Sequence, residues 1–81
     1  MILFYTQRFQ RSYADSPAEI QKRCDKQLAL LIQDFRHPSV RAKKYDEARN
    51  IWQGRVNRSW RFYFLIEGHR YYLLDMMPHP K

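Results

Sequence analysis

Several cationic side chains and one histidine are the residues of this sequence best suited to chemistry on a substrate. Lys43 and Lys44 are adjacent, Arg55 and Arg61 follow within a stretch that alternates between polar and apolar residues, and His79 lies near the C-terminal end. An RNA backbone can be cleaved by its own 2′-hydroxyl, given a group that takes the 2′ proton, cations at the crowded phosphate and a donor to the leaving 5′ oxygen. Lysine holds phosphate as a point charge, arginine clamps it with forked donors, and histidine exchanges protons near neutral pH. These residue types are therefore typical of an RNA-cleaving site without a metal, and the candidates for its catalytic roles are Arg55, Arg61 and His79.

The positive charge of the chain is concentrated in its middle third. The net charge is +7 over 81 residues, and residues 36–61 alone carry eight basic and two acidic side chains, a net +6. Arg41 and Arg58 belong to this segment, and Tyr63 follows it. Such a field attracts nucleic acid, an acidic protein or a membrane surface, and a tyrosine can stack on a base. The residues expected to bind RNA are therefore Arg41, Lys43, Lys44, Arg58 and Tyr63.

Each candidate also has an interpretation that requires no ligand. The lysine pair, like the basic segment as a whole, is compatible with a solvated surface. Arg61 on an exposed sheet face can be a cross-strand ion-pair partner of Glu67 or Asp75. His79 lies close to the end of the sequence, where order is often lost. The functional interpretation therefore depends on these side chains meeting on one face.

Several other chemistries lack their motifs in this sequence. There is no CxxC or HExxH pattern, no cluster with metal-ligand spacing and no glycine-rich phosphate loop, so we expect neither a metal nor a cofactor. Cys24 is the single cysteine and lies on the apolar stripe of a predicted helix. That position favours a buried core thiol over a nucleophile.

Composition and length indicate whether the chain is ordered, how many domains it has and where in the cell we expect it. Hydrophobic residues make up 44% of the chain and aromatics 16%, which excludes a disordered chain. The 81 residues predict a single domain spanning 1–81. No apolar run approaches the roughly 18 residues of a membrane span, and the first residues lack the basic start of a signal peptide. We therefore expect a cytoplasmic protein that does not enter a membrane.

The first third of the chain predicts a strand followed by a helical hairpin. Residues 2–5 are mostly apolar and predict a short strand, and Thr6 can cap a helix of about two turns. Ser16, Pro17 and Glu19 form the pattern of a second helix start, with serine as N-cap, proline at the first helical position and glutamate closing a capping box. One apolar stripe extends this second helix to about Asp34, through Ile20, Cys24, Leu28, Leu31 and Phe35.

The second half of the chain predicts a sheet. Residues 36–50 form a basic connector without clear periodicity, after which strands are predicted at 51–57, 60–67 and 70–76. With the first strand they give an α+β fold of order β-α-α-β-β-β, a curved antiparallel sheet with the helical hairpin packed on one face. The face toward the helices is expected to carry Trp52, Gly54, Val56, Trp60, Phe62, Phe64 and Ile66. The open face is expected to carry Gln53, Arg55, Asn57, Arg61, Tyr63, Leu65 and Glu67.

An ordered set of motifs runs through nearly the whole chain: Ser16-Pro17, His37-Pro38-Ser39, Lys43-Lys44-Tyr45, Ile51-Trp52-Gln53-Gly54-Arg55-Val56, Trp60-Arg61-Phe62-Tyr63-Phe64 and the terminal His79. The set resembles the RelE/ParE superfamily of toxins from type II toxin–antitoxin systems, in particular its RelE/HigB-like branch. The resemblance implies the fold predicted above. It also implies an acidic cognate antitoxin that neutralises the toxin by wrapping its sheet and helices.

The two branches of this superfamily imply different activities. A RelE-like toxin enters the ribosomal decoding site and cuts mRNA there without a metal, which makes the ribosome and mRNA expected partners. A ParE-like toxin shares the fold and inhibits DNA gyrase without cleaving RNA, and an inactive antitoxin-binding relative is a third possibility. The carboxylate base of some relatives has no clear counterpart here, although Asp46 and Glu47 lie near the lysine pair. The positions that match the RelE-like pattern are Lys43, Lys44, Arg55, Arg61 and His79.

Overall fold

The computed structural model describes residues 2–79 as two helices packed on a five-stranded sheet. No helix among these residues is both long and apolar enough to cross a membrane. In chain order the elements are β1 (Ile2–Tyr5), α1 (Gln7–Ala14), α2 (Ala18–Gln33), β2 (Lys43–Asp46), β3 (Ile51–Arg55), β4 (Trp60–Glu67) and β5 (Arg70–Pro78).

The strand order across the sheet is β1-β5-β4-β3-β2. The strands from β2 to β5 pair antiparallel with their neighbours, whereas β1 lies parallel to β5 at one edge. No hairpin joins β1 to β5, so the geometry of a tight turn does not force them to be antiparallel. The predicted α+β class and the position of the helical hairpin are confirmed, and the sheet is mixed because of this one parallel pair.

Strand β2 was not among the predicted strands. Lys43–Asp46 pairs with β3 at the edge of the sheet, inside the segment in which the sequence has no clear period. Edge strands often carry lysine, which discourages pairing with another chain and also removes the apolar alternation that identifies a strand. The basic connector therefore contributes an extra edge strand, and this strand brings part of the positive segment onto the sheet.

The start of α2 differs from the predicted capping box. Pro17 is the N-cap, the helix begins one residue later than expected, and no side chain caps it. The Ser16 hydroxyl donates instead to the Ser12 carbonyl at 2.7 Å, so it serves the end of α1. Thr6 caps α1 as predicted, because its Oγ1 accepts a hydrogen bond from Phe9 N at 3.2 Å.

The core lies between the helices and the predicted apolar face of the sheet. Phe62 and Phe64 of β4 are fully buried, as is Val56 just after β3, which confirms the predicted alternation. Cys24 is fully buried as well, and burial, reinforced by the Asp25 carboxylate, raises the pKa of its thiol to about 12. The thiol therefore stays protonated at neutral pH and is part of the core. The side of the sheet that faces away from this core is its open face.

A β-bulge in β5 turns two consecutive side chains toward the open face. The register between β4 and β5 shifts just after Tyr63, and Leu74 is the extra residue. The next residue, Asp75, is almost fully buried, and its carboxylate accepts hydrogen bonds from Arg8 Nε at 3.0 Å and from Ser12 Oγ of α1. The bulge therefore anchors α1 to the sheet.

A substitution at Gly54 tests the packing between β3 and β4. A Cβ atom at this position would lie 2.2 Å from Cζ of Phe62, so the ring occupies the space that any larger residue needs. We expect Gly54→Ala to lower the free energy of unfolding by about 1–3 kcal/mol, measured by urea denaturation. The same substitution in a Phe62→Leu background should cost less, because the smaller side chain leaves room for the methyl group. Strictly additive effects would contradict this packing.

Candidate functional site

Five of the predicted site residues meet in one small cavity on the open face. The cavity has a volume of about 190 Å³ and lies where β3 ends and β4 begins. Strands β2, β3 and β4, the loop before β2 and the residue that follows β5 contribute to it. We call it the cation cavity. The residues that line it are Arg41, Lys43, Gln53, Arg55, Arg61 and His79.

Strand register explains why these side chains share one face. Lys43 lies opposite Gln53 in the β2–β3 pair, and Arg55 lies opposite Arg61 in the β3–β4 pair. Residues directly opposite one another in an antiparallel pair project to the same side of the sheet. The alternation that buries the aromatic side chains of β4 therefore also gathers the cations on the other side.

The Arg61 guanidinium is held by backbone carbonyl groups rather than by a carboxylate. Its Nη1 donates to Asn57 O at 2.7 Å, to Trp60 O at 2.9 Å and, more weakly, to Arg58 O at 3.4 Å. The predicted alternative, an ion pair with Glu67 or Asp75, is therefore wrong: Asp75 pairs with α1. Carbonyl partners fix the position of the guanidinium and leave its positive charge unneutralised.

The turn between β3 and β4 also holds the end of β5. His79 N donates to Ser59 O at 2.6 Å. The turn itself is closed by Asn57, whose Oδ1 accepts hydrogen bonds from the backbone N of Ser59 at 2.8 Å and of Trp60 at 2.9 Å. The segment that positions Arg61 thus also positions His79, although through a different carbonyl, and both side chains line the same cavity.

A buried glutamine of α2 joins two chain segments that build the cavity. Gln27 is fully buried, and its Nε2 donates to Arg55 O at 2.8 Å and to Ser39 O at 2.9 Å. Its Oε1 accepts a hydrogen bond from Ser39 Oγ at 3.2 Å. The predicted apolar stripe did not include Gln27, although its place between Cys24 and Leu31 puts it on the buried side of the helix. A polar residue on the buried side of a helix is the sequence signal that could have identified Gln27.

Arg41 reaches the cavity from a strained backbone. Its φ is +51°, in the left-handed region that costs a residue other than glycine roughly 1–3 kcal/mol. The preceding residue, Val40, is fully buried, and its carbonyl accepts a hydrogen bond from Arg55 N at 2.7 Å. Because Val40 is fixed and β2 begins soon afterwards, the backbone must turn at Arg41.

Among the described residues 2–79, no carboxylate lines the cation cavity to balance its charge. The pKa of Arg55 is lowered by desolvation and then by repulsion from neighbouring guanidinium groups, those of Arg41, Arg61, Arg23 and Arg58. Arginine still remains charged at neutral pH, so the cavity favours an anion such as a phosphate group. No three His, Cys, Asp or Glu side chains of residues 2–79 lie close enough to hold a metal ion. Ion pairs in the same part of the chain use other residues, namely Arg8–Asp75, Lys44–Glu47 and Arg49–Asp46.

Three of the residues predicted to bind RNA lie outside the cation cavity. Lys44 is on the helix side of the sheet, with its Nζ 4.8 Å from the centre of the Trp52 ring and donating to Asn50 Oδ1 at 2.6 Å. Arg58 is exposed at the tip of the β3–β4 turn. Tyr63 is on the open face but lines a second cavity. The alternation of β2 therefore divides the lysine pair between the two faces.

The fold matches solved toxin structures, although sequence comparison finds no matching family model and no matching curated protein. A YoeB/ParE toxin from Agrobacterium tumefaciens is similar with a TM-score of 0.81 and 14% identity, over 99% of this chain and 100% of that one. The YoeB dimer from Staphylococcus aureus gives 0.80 and 9% identity over 99% and 98%. The E. coli RelBE toxin–antitoxin complex gives 0.74 and 8% over the same shares. The chain therefore has the RelE/ParE toxin fold, as the resemblance of its motifs implies.

Replacing Gln27 tests the support of the cavity from α2. Gln27→Leu removes both amide donors and leaves the Arg55 and Ser39 carbonyls without these partners. We expect the free energy of unfolding to fall by about 1–3 kcal/mol in urea denaturation. Gln33→Leu, on an exposed position of the same helix, is the matched control and should leave stability nearly unchanged. Equal effects of the two substitutions would contradict the role given to Gln27.

Proposed function

We propose that the chain is the toxin of a type II toxin–antitoxin pair and acts as a metal-independent, ribosome-dependent mRNA endoribonuclease. The observation that carries this proposal is the cation cavity, which Arg41, Lys43, Arg55 and Arg61 line together with His79, with no carboxylate from the described part of the chain. The RelE/ParE toxin fold and the ordered motifs support it. In the RelE-like branch, cations at these positions act on mRNA in the ribosomal decoding site.

The proposed mechanism uses the 2′-hydroxyl of the substrate as the nucleophile. As the 2′ oxygen attacks phosphorus, negative charge increases on the phosphate oxygens while the bond to the 5′ oxygen breaks. Arg55 and Arg61 are placed to bind these oxygens, and the carbonyl partners of Arg61 hold it in position before substrate arrives. His79 supplies the imidazole of the cavity, and an imidazole nitrogen can take the 2′ proton or supply one to the leaving oxygen, with water as the partner in the other transfer.

An acidic antitoxin is the proposed regulator of this activity. The solved relatives include the YoeB–YefM toxin–antitoxin complex from Staphylococcus aureus and the RelB–RelE complex from Methanococcus jannaschii. The cavity residues here have no acidic partner within residues 2–79, so acidic side chains from a second chain would neutralise them. Occupying the cation cavity would also exclude RNA, which gives a direct physical basis for inhibition.

Mapping transcript ends in cells tests the proposed activity. We expect expression of the chain from a tightly controlled promoter to produce new mRNA 5′ ends within translated regions, detected by primer extension. These ends should be lost with Arg61→Ala and with His79→Ala, and when translation is blocked. Arg11→Ala, an equal change of charge on an exposed position of α1, should retain them.

Two outcomes of this mapping would contradict the proposal. Growth arrest without new 5′ ends would indicate another target, such as the DNA gyrase inhibited by ParE-like toxins. The absence of any arrest, with the purified chain folded, would indicate an inactive antitoxin-binding relative. Circular dichroism and urea midpoints of the variants would separate loss of activity from loss of folding.

The charge of the cavity predicts the salt dependence of RNA binding. If four cations contact phosphate, the logarithm of the binding constant should fall with the logarithm of salt concentration with a slope of about −3 for single-stranded RNA. Fluorescence anisotropy with a 2′-O-methylated RNA, which cannot be cleaved, measures this slope. Arg61→Ala should make it shallower by about 0.7, whereas Arg11→Ala should not change it. A flat salt response would rule out the cavity as a phosphate site.

A further inference from the structure

A second cavity lies beside the cation cavity on the open face. Its volume is about 480 Å³, more than twice that of the cation cavity, and its walls are mainly apolar and aromatic. It lies over the central part of the sheet, next to the end of α1 that the bulge anchors. The residues that line it are Thr6, Arg8, Tyr45, Arg49, Ile51, Tyr63, Leu74, Asp75 and Met77.

The two cavities are lined by adjacent rows of side chains on the open face. On β2, β3 and β4, and at the C-terminal end of β5, a residue of the second cavity lies two positions from a residue of the cation cavity. Side chains two positions apart project to the same face, and are separated by roughly 6.6 Å along the strand. The pairs, with the cation-cavity residue first, are Lys43 and Tyr45, Gln53 and Ile51, Arg61 and Tyr63, and His79 and Met77.

Two tyrosine rings line the second cavity. The rings of Tyr45 and Tyr63 contact each other, with their centroids 4.9 Å apart and their planes tilted by 59°. Tyr45 is 61% exposed, although it is a large aromatic side chain on a sheet face. Tyr63 is almost buried, and burial raises the pKa of its phenol, which therefore remains a hydrogen-bond donor at neutral pH.

We propose that this second cavity binds a nucleobase of the RNA whose phosphate lies in the cation cavity. The proposal rests on the proposed function and adds residues that select or hold the substrate, namely Tyr45, Ile51, Tyr63 and Met77. A nucleotide joins a charged phosphate to a flat, mostly apolar base. The open face presents the complementary order, a row of cations followed by a row of aromatic and aliphatic side chains.

The chemistry of the walls favours a base over an aliphatic side chain from a protein partner. Proteins that bind single-stranded nucleic acid combine a positive groove with aromatic rings on which bases stack. Tyr45 and Tyr63 provide those rings, directly beside the arginines that would hold the backbone. Arg8 and Arg49 also line the cavity, but they are paired with Asp75 and Asp46. The positive charge that suits a polyanion therefore comes from the neighbouring cation cavity.

Small ligands that differ only in the base test this proposal by NMR. The four nucleoside monophosphates, as 3′ and 5′ isomers, are titrated into the full chain, with ribose 5-phosphate as the control that lacks a base. We expect both kinds of ligand to shift the imidazole signals of His79. Only the nucleotides should shift the methyl signals of Ile51 and Met77. The methyl signals of Met76, which is buried in the core, and of Ile32, which is exposed on α2, should not move.

The outcomes separate this inference from the proposed function. If nucleotides shift His79 and leave Ile51 and Met77 unchanged, the base cavity is wrong and the phosphate site stands. If no ligand shifts His79, the phosphate site fails, and the proposed function fails with it. If an acidic peptide with apolar side chains shifts Ile51 and Met77 whereas nucleotides do not, the cavity belongs to a protein partner and the inference is overturned.

Substitution of Tyr45 gives a second test that does not depend on the core. Tyr45→Ala should weaken binding of a 2′-O-methylated RNA by about tenfold, since it removes one stacking surface. Tyr45→Phe keeps the ring and should bind like the unchanged chain. Removing the base opposite this cavity from the RNA should abolish the difference between the two variants. Equal affinity of Tyr45→Ala and Tyr45→Phe would contradict a stacked base.

Discussion

The carbonyl groups of the turn between β3 and β4 are the constraint on which the site depends. Two of them hold the Arg61 guanidinium most closely, Asn57 O at 2.7 Å and Trp60 O at 2.9 Å, and Ser59 O holds the backbone of His79. A carboxylate could fix an arginine equally well, but it would also cancel the charge. Because carbonyls carry only partial charge, the turn fixes the geometry of the cations and leaves their field available for an anion.

The helices contribute to this site as well as covering the core. Arg23 and Gln27 lie one helical turn apart on α2, and they donate to consecutive carbonyls at the end of β3, Val56 O at 3.1 Å and Arg55 O at 2.8 Å. Gln27 also binds the loop that leads to Arg41. A rigid helix thus fixes both the strand end and the loop. This arrangement fixes the backbone that carries arginines whose charges repel one another.

The sequence was sufficient for the fold and for most of the cavity, because the period of two in β4 determines both faces of the sheet at once. Burying Phe62 and Phe64 on one side necessarily turns Arg61 and Tyr63 to the other. The sequence was insufficient where contacts between residues distant in sequence determine which residues form a strand and which face a side chain occupies. Strand β2 has no alternation to reveal it, and the side to which Lys44 points follows from its pairing with β3. The bulge at Leu74 has no local signal either, and it places Met77, which the sequence did not single out, on the open face.

In the proposed function, the two rows on the open face bind RNA with the cations at the phosphate and the aromatic residues beside it. This proposal requires the phosphate to bind at Arg55 and Arg61. Side-chain NMR of the arginine Nε–Hε groups, during titration with a 2′-O-methylated RNA, tests this most directly. We expect the signals of Arg55 and Arg61 to shift while that of Arg11 stays unchanged. Binding of the RNA with no change at Arg55 and Arg61 would contradict it.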